Sequence, residues 1–150
     1  MTDVVDVATR SRMMSGIGGK NTKPELLVRK ALFAAGFRFR LHRKDLPGRP
    51  DVALPGRRVV VFVHGCFWHA HQGCPYAKTP ATRREFWEAK LAANVERDRR
   101  TREALLSAGW RVLVVWECAT RSSGVRERLS ELLTRWIEGV ELSGELSGMT

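Results

Sequence analysis

An uninterrupted apolar run at residues 59–63 constrains the fold more than any other feature of this sequence. A strand turns successive side chains to opposite faces of its sheet, so such a run is apolar on both faces. Strands of this kind lie inside sheets that are covered on both sides. A turn containing Pro55 and Gly56 joins the run to a shorter segment at residues 51–54. The two segments predict a hairpin whose second strand is central in the sheet.

The flanking sequence predicts helices that cover this sheet. Capping-box patterns of the type Thr-x-x-Glu stand at residues 22–25 and 82–85, where each opens a helix. The predicted elements are, in chain order, a helix over residues 22–36, strands over residues 37–41, 51–54 and 59–63, a long charged helix over residues 82–109, a strand over residues 110–116 and a helix over residues 125–137. This order predicts an α/β fold with a central mixed β-sheet flanked by α-helices.

The length of 150 residues corresponds to one domain with short extensions. Residues 1–20 are polar, Gly-rich and basic, which predicts an arm that a partner can order. Residues 21–138 are expected to form the folded domain, and residues 139–150 a flexible tail. No apolar run approaches the ~20 residues of a membrane-spanning helix, and no secretory signal is visible. We therefore expect a cytoplasmic protein without a membrane partner.

The charge of the chain favours a polyanionic partner. The formal net charge is +10 and the pI is about 10.5. A domain pI above ~9 is typical of nucleic-acid-binding proteins. Basic residues crowd the first third of the chain, whereas residues 138–150 contain none. This asymmetry favours nucleic acid over a small acidic molecule, although general solubility is an alternative that charge alone does not exclude.

Three of the 4 histidines and two of the 3 cysteines fall within residues 63–74. Three cysteines cannot all pair in disulfides, and in a reducing compartment a thiolate metal site is favoured. Cys66, His71 and Cys74, together with Cys118 at the end of the later strand, supply four ligands for a tetrahedral Zn²⁺. With all four positions filled, this zinc would be structural and would tie a loop to the sheet. Inert buried thiols are the alternative.

The remaining histidines of this segment, His64 and His69, are candidates for a general base near neutral pH. One of the two is more readily explained as a hydrogen-bonded structural imidazole. Asp51 opens a strand after Pro50 and can hold Mg²⁺, which prefers oxygen ligands, but taken on its own it is better explained by a turn-capping role. Glu25 can orient a histidine in addition to its place in the capping box.

Large aromatic residues stand beside these histidines. Phe67 and Trp68 lie between His64 and His69, and Trp87 lies on the long helix. Apolar side chains that insert between base steps unstack them and open the duplex. Packing in the core is about equally compatible with Trp87, because aromatic residues at helical spacing usually face inward.

Motifs along most of the chain match one enzyme family. They are Ala8-Thr9-Arg10-Ser11, Leu46-Pro47-Gly48-Arg49-Pro50-Asp51, His64-Gly65-Cys66-Phe67-Trp68-His69, Pro80-Ala81-Thr82-Arg83, Glu85-Phe86-Trp87, Asn94-Val95-Glu96-Arg97-Asp98-Arg99-Arg100, Gly109-Trp110-Arg111-Val112 and Trp116-Glu117-Cys118. With them the chain resembles the very-short-patch repair endonucleases, which are bacterial T:G mismatch-specific DNA nicking enzymes. The resemblance implies a restriction-endonuclease-like fold and cleavage of one strand 5′ to the mismatched thymine. Such mismatches arise when 5-methylcytosine deaminates.

The resemblance also implies roles for the candidate catalytic residues. Asp51 would ligate Mg²⁺ together with the backbone carbonyl of Val63. His69 would activate the attacking water with support from Glu25. His64 would lie beside the scissile phosphate.

The same resemblance assigns the DNA-contacting and zinc-binding residues. Phe67, Trp68 and Trp87 would form a wedge that opens the mismatch, and Met14 on the N-terminal arm would assist from the other groove. The implied zinc ligands are Cys66, His71, Cys74 and Cys118. The expected partner is double-stranded DNA with a T:G mismatch. Mismatch-repair proteins, a repair polymerase, a monomeric state and a nucleoid-associated location are also implied.

The sequence departs from the family pattern in three places. Residue 63 is Val where some members carry Thr, an exchange that is mild if the ligand is the main-chain carbonyl. The segment from Cys66 to Cys74 is one residue longer, which leaves the histidine ligand open between His71 and its neighbours. Phe62 and His64 replace the second acidic residue and the lysine of restriction enzymes, which fits a histidine-dependent mechanism.

The leading hypothesis is a Mg²⁺-dependent, zinc-stabilised mismatch endonuclease that hydrolyses one phosphodiester bond. The alternatives are a sequence-specific restriction-type nuclease and a zinc-stabilised DNA-binding module without catalysis.

Overall fold

The computed structural model describes residues 21–149 as five strands and five α-helices. The strands are β1 (Arg40–Leu41), β2 (Val52–Leu54), β3 (Val59–His64), β4 (Arg111–Trp116) and β5 (Ser143–Leu146). The helices are α1 (Lys23–Ala34), α2 (Arg84–Ser107), α3 (Glu117–Arg121), α4 (Ser123–Glu127) and α5 (Leu129–Ile137). Short 3₁₀ turns cover Pro55–Arg57 and Pro75–Ala77.

The strands form one mixed sheet in the order β1-β2-β3-β4-β5. The β1–β2 and β2–β3 pairs are antiparallel, and the β3–β4 and β4–β5 pairs are parallel. Strand β3 therefore lies at the centre, as its apolar sequence predicts. Because β3 and β4 run parallel, His64 and Trp116 are paired at the same end of the sheet. The expected α/β class with a central mixed sheet is confirmed.

Helices cover both faces of the sheet. On one face, α1 and α5 pack against alternate residues of the central strands, including Val59, Val61 and Leu113. On the other face, Val60, Phe62 and Val114 pack with Leu105 of α2 and with the three cysteines. The alternation of strand side chains thus separates two cores, and the cysteine-rich loop belongs to the core beneath α2.

The predicted tail is wrong over residues 143–146. This segment forms β5, which pairs in parallel with Val112–Val115 of β4, and its Leu146 is buried. Only one of its four residues is a large apolar residue, so the sequence carries little strand signal. Gly144 is needed at this position because a Cβ there would lie 2.2 Å from Nε1 of Trp136.

Helix ends also show where capping rules hold and where they fail. Thr22 caps α1, and its side-chain oxygen accepts a hydrogen bond from the Glu25 backbone N–H at 3.3 Å. The predicted cap at Thr82 is wrong. Helix α2 begins at Arg84, and Arg83 takes the N-cap position in a left-handed conformation with φ of 55° and no side-chain cap bond. The guanidinium of Arg83 instead lies 4.3 Å from the centroid of the Phe86 ring.

Two further elements differ in length from their prediction. The strand predicted over residues 37–41 is reduced to Arg40–Leu41, although Phe37 is buried in the core as its alternation requires. The single helix predicted over residues 125–137 is broken at Arg128 into α4 and α5. Among the described residues, no helix is long and apolar enough to cross a membrane.

Candidate active site and metal centre

A cleft of about 1370 Å³ opens where the parallel strands β3 and β4 end. His64, the last residue of β3, and Glu117, which follows β4, lie at its base. The first turn of α1 forms one wall, and one face of α2 forms another. The cleft brings Asp51, Glu25, His64, His69, Phe67 and Trp68 together, although the sequence spreads them over four elements and loops.

Asp51 lies half-buried at the edge of this cleft, just before β2. Its Oδ2 accepts a hydrogen bond of 2.7 Å from the backbone N–H of Val63 on the neighbouring strand. Burial raises the pKa of Asp51 to about 7, the Val63 N–H opposes this rise, and the nearby charge of Glu25 adds to it. Such a carboxyl gives up its proton readily when a cation binds, because the cation replaces water as the stabilising partner.

Glu25 lies beside Asp51 and is fixed by a network of donors. Its Oε2 accepts hydrogen bonds from the Asn21 backbone N–H at 2.9 Å and from the Arg29 guanidinium at 3.1 Å. Nε2 of His42 lies 3.7 Å from the same oxygen. The ligand atoms of Glu25, His42 and Asp51 all lie within 4.8 Å of one another. The structure therefore pairs Glu25 with Asp51 and His42, and His42 is a neighbour that sequence reasoning missed.

His64 and His69 are stacked in the cleft, with ring centroids 3.7 Å apart and an interplanar angle of 1°. Nδ1 of His69 lies 2.6 Å from Oδ2 of Asp98 on α2. Burial lowers the pKa of His64 to about 3, and the adjacent His69 contributes to the decrease. His64 is therefore a neutral imidazole at neutral pH. The Nδ1 partner of His69 is Asp98 rather than Glu25, and no signal in the sequence distinguishes Asp98 from the other acidic residues of a charged helix.

The aromatic residues form one cluster at the rim of the cleft. The Phe67 ring lies 5.0 Å from Trp68 and 5.4 Å from Trp87, and the two tryptophans lie 5.9 Å apart, all edge to face. Trp68 is exposed, while Phe67 and Trp87 are half-buried, and none of the three belongs to either core. The buried Asn94 side chain donates a 2.8 Å hydrogen bond to the Trp68 carbonyl and so fixes the cluster to α2.

The second metal-binding arrangement lies behind the cleft. The ligand atoms of Cys66, His71, Cys74 and Cys118 lie within 4.8 Å of one another, and all four residues are buried. Nδ1 of His71 faces the cluster at 3.6 Å from Sγ of Cys118. The other two histidines of the segment point into the cleft instead.

The donors around this cluster fit a thiolate-bound cation. Backbone N–H groups of Cys118 and Gly148 donate to Sγ of Cys66 and Sγ of Cys118, at 3.4 and 3.2 Å. Burial raises the pKa of the Cys66 and Cys118 thiols. Buried thiols of this kind ionise only when a metal compensates the charge, and N–H donors to sulfur are the usual surroundings of metal-bound thiolates. The Cys₃His set therefore can hold a metal ion.

Trp116 connects the two sites. The His71 ring stacks on Trp116 at 4.0 Å and 6°, and His64 contacts the same indole at 5.3 Å and 73°. The indole N–H donates to Glu145 on β5 at 2.5 Å. Strand β5, which the sequence did not predict, thus fixes a side chain that touches both a metal-site histidine and a cleft histidine.

The mixed sheet with helices on both faces, and the cleft that joins the half-buried Asp51 to a histidine pair, are consistent with a restriction-endonuclease-like fold. Comparison with known proteins specifies the family. The sequence profile of the family described as DNA mismatch endonuclease Vsr matches residues 2–75.

Individual relatives extend this similarity over nearly the whole chain. The type II nicking enzyme V.XorIIP of Xanthomonas oryzae pv. oryzae is 49% identical over 134 residues, which cover 89% of this chain and 98% of that protein. DNA mismatch endonuclease Vsr of Escherichia coli is 47% identical over 148 residues, covering 97% and 94%. The type II nicking enzyme V.NmeAIP of Neisseria meningitidis is 43% identical, covering 89% and 95%.

The chain belongs to the very-short-patch repair family of DNA mismatch endonucleases. These matches confirm the prediction of a DNA endonuclease, rather than the alternative of a DNA-binding module without catalysis. Met14 and the rest of the predicted N-terminal arm lie outside the described residues.

Proposed function

We propose that the protein nicks one strand of duplex DNA on the 5′ side of the thymine in a T:G mismatch. The observation that carries this proposal is the placement of the aromatic cluster and the histidine pair in one cleft. Trp68 at the rim is adjacent in sequence to His69, whose ring stacks on His64. Side chains that unstack a base pair would therefore act in the same cleft as groups that can hydrolyse a phosphodiester bond.

Asp51 and the backbone carbonyl of Val63 are the residues that would hold Mg²⁺. The fit rests on the half-buried Asp51 carboxylate, which has no cationic partner at hydrogen-bond distance within residues 21–149. Its Oδ2 lies 2.7 Å from the backbone nitrogen of Val63, so the carboxylate is next to the main chain of that residue. When bound, Mg²⁺ neutralises phosphate charge and acidifies a coordinated water. Glu25, held by Arg29, supplies a second carboxylate beside this position.

His69 is the proposed general base. With the proton on Nδ1 donated to Asp98, Nε2 is left as the acceptor that can take a proton from water. Asp98 then stabilises the imidazolium that forms, the role that a buried carboxylate takes behind a catalytic histidine. The neutral, buried His64 is proposed to lie beside the scissile phosphate, where it fixes the plane of His69.

Phe67, Trp68 and Trp87 are proposed to insert at the mismatch, with Met14 contacting the DNA from the arm. A T:G pair stacks and pairs less well than a matched pair, so the cost of unstacking is smallest there. Cys66, His71, Cys74 and Cys118 would hold Zn²⁺, which would supply a structural crosslink and no chemistry. These ligands keep the loop that carries Phe67, Trp68 and His69 against the sheet.

The test is a nicking assay on duplexes that differ only in a T:G mismatch or the matching C:G pair, with each strand labelled separately. We expect one nick, in the thymine strand, that requires added Mg²⁺. Asp51→Ala and His69→Ala should both remove it. Full activity in either variant would remove that residue from the mechanism.

Two relatives are named type II nicking enzymes, without mention of a mismatch, and a sequence-specific nicking enzyme is therefore the second candidate. Equal nicking of the T:G and C:G duplexes would establish that alternative. A single nick needs only one active site, so we propose that the protein acts as a monomer. We further propose that mismatch-repair proteins and a repair polymerase process the nick.

A further inference from the structure

The charged residues of α2 divide into two groups with different surroundings. On the outer side, Arg99 pairs with Glu96 at 2.5 Å and also with Glu103. Arg100 likewise pairs with Glu96 at 3.8 Å. These cations are already neutralised by carboxylates of the same helix.

The cations on the cleft side have no such partners. Lys90, Arg97 and Arg102 line the cleft, and within residues 21–149 none of them forms an ion pair. The cleft face of α2 contributes one carboxylate to the lining, Asp98, and His69 holds it at 2.6 Å. The three cations therefore line the cleft without an ion-pair partner among the described residues.

Helical spacing explains why the two groups separate. The residues of α2 that line the cleft recur every three or four positions, the spacing of one helix face. They are Lys90, Asn94, Arg97, Asp98, Thr101 and Arg102. Arg99 lies nine residues from Lys90, about two and a half turns, and so faces the opposite way.

The length of this face matches several phosphates of one DNA strand. From Lys90 to Arg102 the helix rises about 18 Å. One strand of B-DNA carries a phosphate for each 3.4 Å of its axis, so about five phosphates fall within that length. Lys44 and Arg49 also line this cleft, so it contains cations from outside α2 as well.

We propose that Lys90, Arg97 and Arg102 form a ridge that binds the DNA backbone through its phosphates, independently of base sequence, and that the paired cations of the outer face make no contact with DNA. The proposal rests on the proposed function only in placing DNA in this cleft. Arg102 is the member nearest the chemistry, because its charge lowers the pKa of His64. The ridge would hold the duplex in register while the aromatic cluster samples base pairs.

The test is the salt dependence of DNA binding, measured by fluorescence anisotropy without added Mg²⁺ and without chelator. Arg97→Gln and Arg102→Gln are compared with Arg99→Gln, which removes the same charge from a residue of α2 that does not line the cleft. Each phosphate contact contributes about 0.9 to the slope of log K against log salt. When the salt concentration rises from 50 to 200 mM, the affinity for DNA should therefore fall by a factor that is about 3.5 times smaller in each cleft-side variant than in the wild type. Arg102→Lys should restore the slope.

The expected losses are equal on T:G and C:G duplexes, because phosphate contacts carry no base information. Arg99→Gln should retain the wild-type slope. Wild-type slopes in both cleft-side variants, or an equal decrease in Arg99→Gln, would overturn the proposal. A protein that binds with the predicted slopes but nicks both duplexes equally would leave the ridge intact and refute the T:G specificity instead.

Discussion

The rings of His64 and His69 lie face to face, with centroids 3.7 Å apart and an angle of 1° between their planes. Two imidazoles this close cannot both carry a positive charge without strong repulsion. The structure avoids this because His64 is buried and only His69 has a carboxylate, Asp98, against its ring. The pair is thereby divided into one neutral, fixed ring and one ring that can accept a proton.

This division predicts that His64 does not titrate in the physiological range. Its pKa is lowered to about 3, chiefly by burial, so the ring should stay neutral from pH 5 to 8. In the unfolded chain the same ring binds a proton below about pH 6.5, so its contribution to stability is lost as the pH falls below that value. NMR of ring-labelled histidines checks this. A His64 midpoint between pH 5 and 8 would contradict it.

Asp98→Asn should separate orientation of His69 from DNA binding. An amide can donate to Nδ1 and so favours the tautomer whose Nε2 carries the proton and cannot act as a base. We expect the single-turnover nicking rate to fall about 10²- to 10⁴-fold with the Kd for DNA unchanged. Asp45→Asn, an exposed aspartate paired with Arg43, is the matched control and should retain full activity. The double variant with His69→Ala should be no slower than His69→Ala alone, because the two residues act as a unit.

Local patterns in the sequence were sufficient for most of the fold. The Thr22 cap, the central position of residues 59–63 and the long charged helix follow from side-chain periodicity and capping chemistry, and the structure confirms each. Strand β5 could not be predicted. The segment Ser143–Leu146 is short and mostly polar. It forms a strand because it pairs with the edge of β4 and because Gly144 packs closely against Trp136.

The site shows the same limit. The residue types near positions 64–74 indicated metal and proton chemistry, because their ligands are close in sequence. Asp98 and His42 could not be distinguished, since their roles depend on which side chains the fold brings opposite them. His69 and Asp98 are 29 residues apart and meet only because the loop after β3 packs on α2.

Asp51→Asn should abolish nicking and stabilise the fold in a pH-dependent way. Burial, with the charge of Glu25, raises the Asp51 pKa to about 7. The folded protein therefore binds more protons than the unfolded chain between about pH 4 and 7, and stability falls as the pH rises through that range. The variant removes this cost, so it should be more stable than the wild type at pH 8, on the order of 1–3 kcal/mol, and little changed at pH 4.

Urea unfolding at both pH values measures the difference. The Asn carbonyl can still accept the Val63 N–H bond, so the comparison isolates the charge. Equal destabilisation of the variant at pH 4 and pH 8 would show that the charge of Asp51 does not lower the free energy of unfolding. Nicking by the wild type should increase with pH through about 7, since cation binding must displace the proton.

Trp116 is expected to act as a positioning residue between the two sites. Trp116→Phe removes the hydrogen bond to Glu145 and part of the surface on which His71 and His64 rest. We expect kcat to fall about 10- to 100-fold with KM unchanged, because small displacements of catalytic groups are costly. Trp110→Phe, which lies just before the same strand and is also buried, is the control. A shifted His64 NMR signal in Trp116→Phe alone would distinguish positioning from general destabilisation.

Removal of one metal ligand should unfold the loop that carries the active site. Cys74 is buried beside Cys66, Cys118 and His71, and its backbone N–H bonds the His71 carbonyl at 3.3 Å. A structural zinc contributes about 10–16 kcal/mol of apparent binding energy to folded peptides, so Cys74→Ala should lose stoichiometric zinc and most of its stability. Elemental analysis and thermal unfolding measure both effects. A milder variant, Cys74→His, keeps a nitrogen ligand and should retain partial metal content. Wild-type protein without bound zinc, or Cys74→Ala with an unchanged Tm, would show that the four residues are ordinary core side chains.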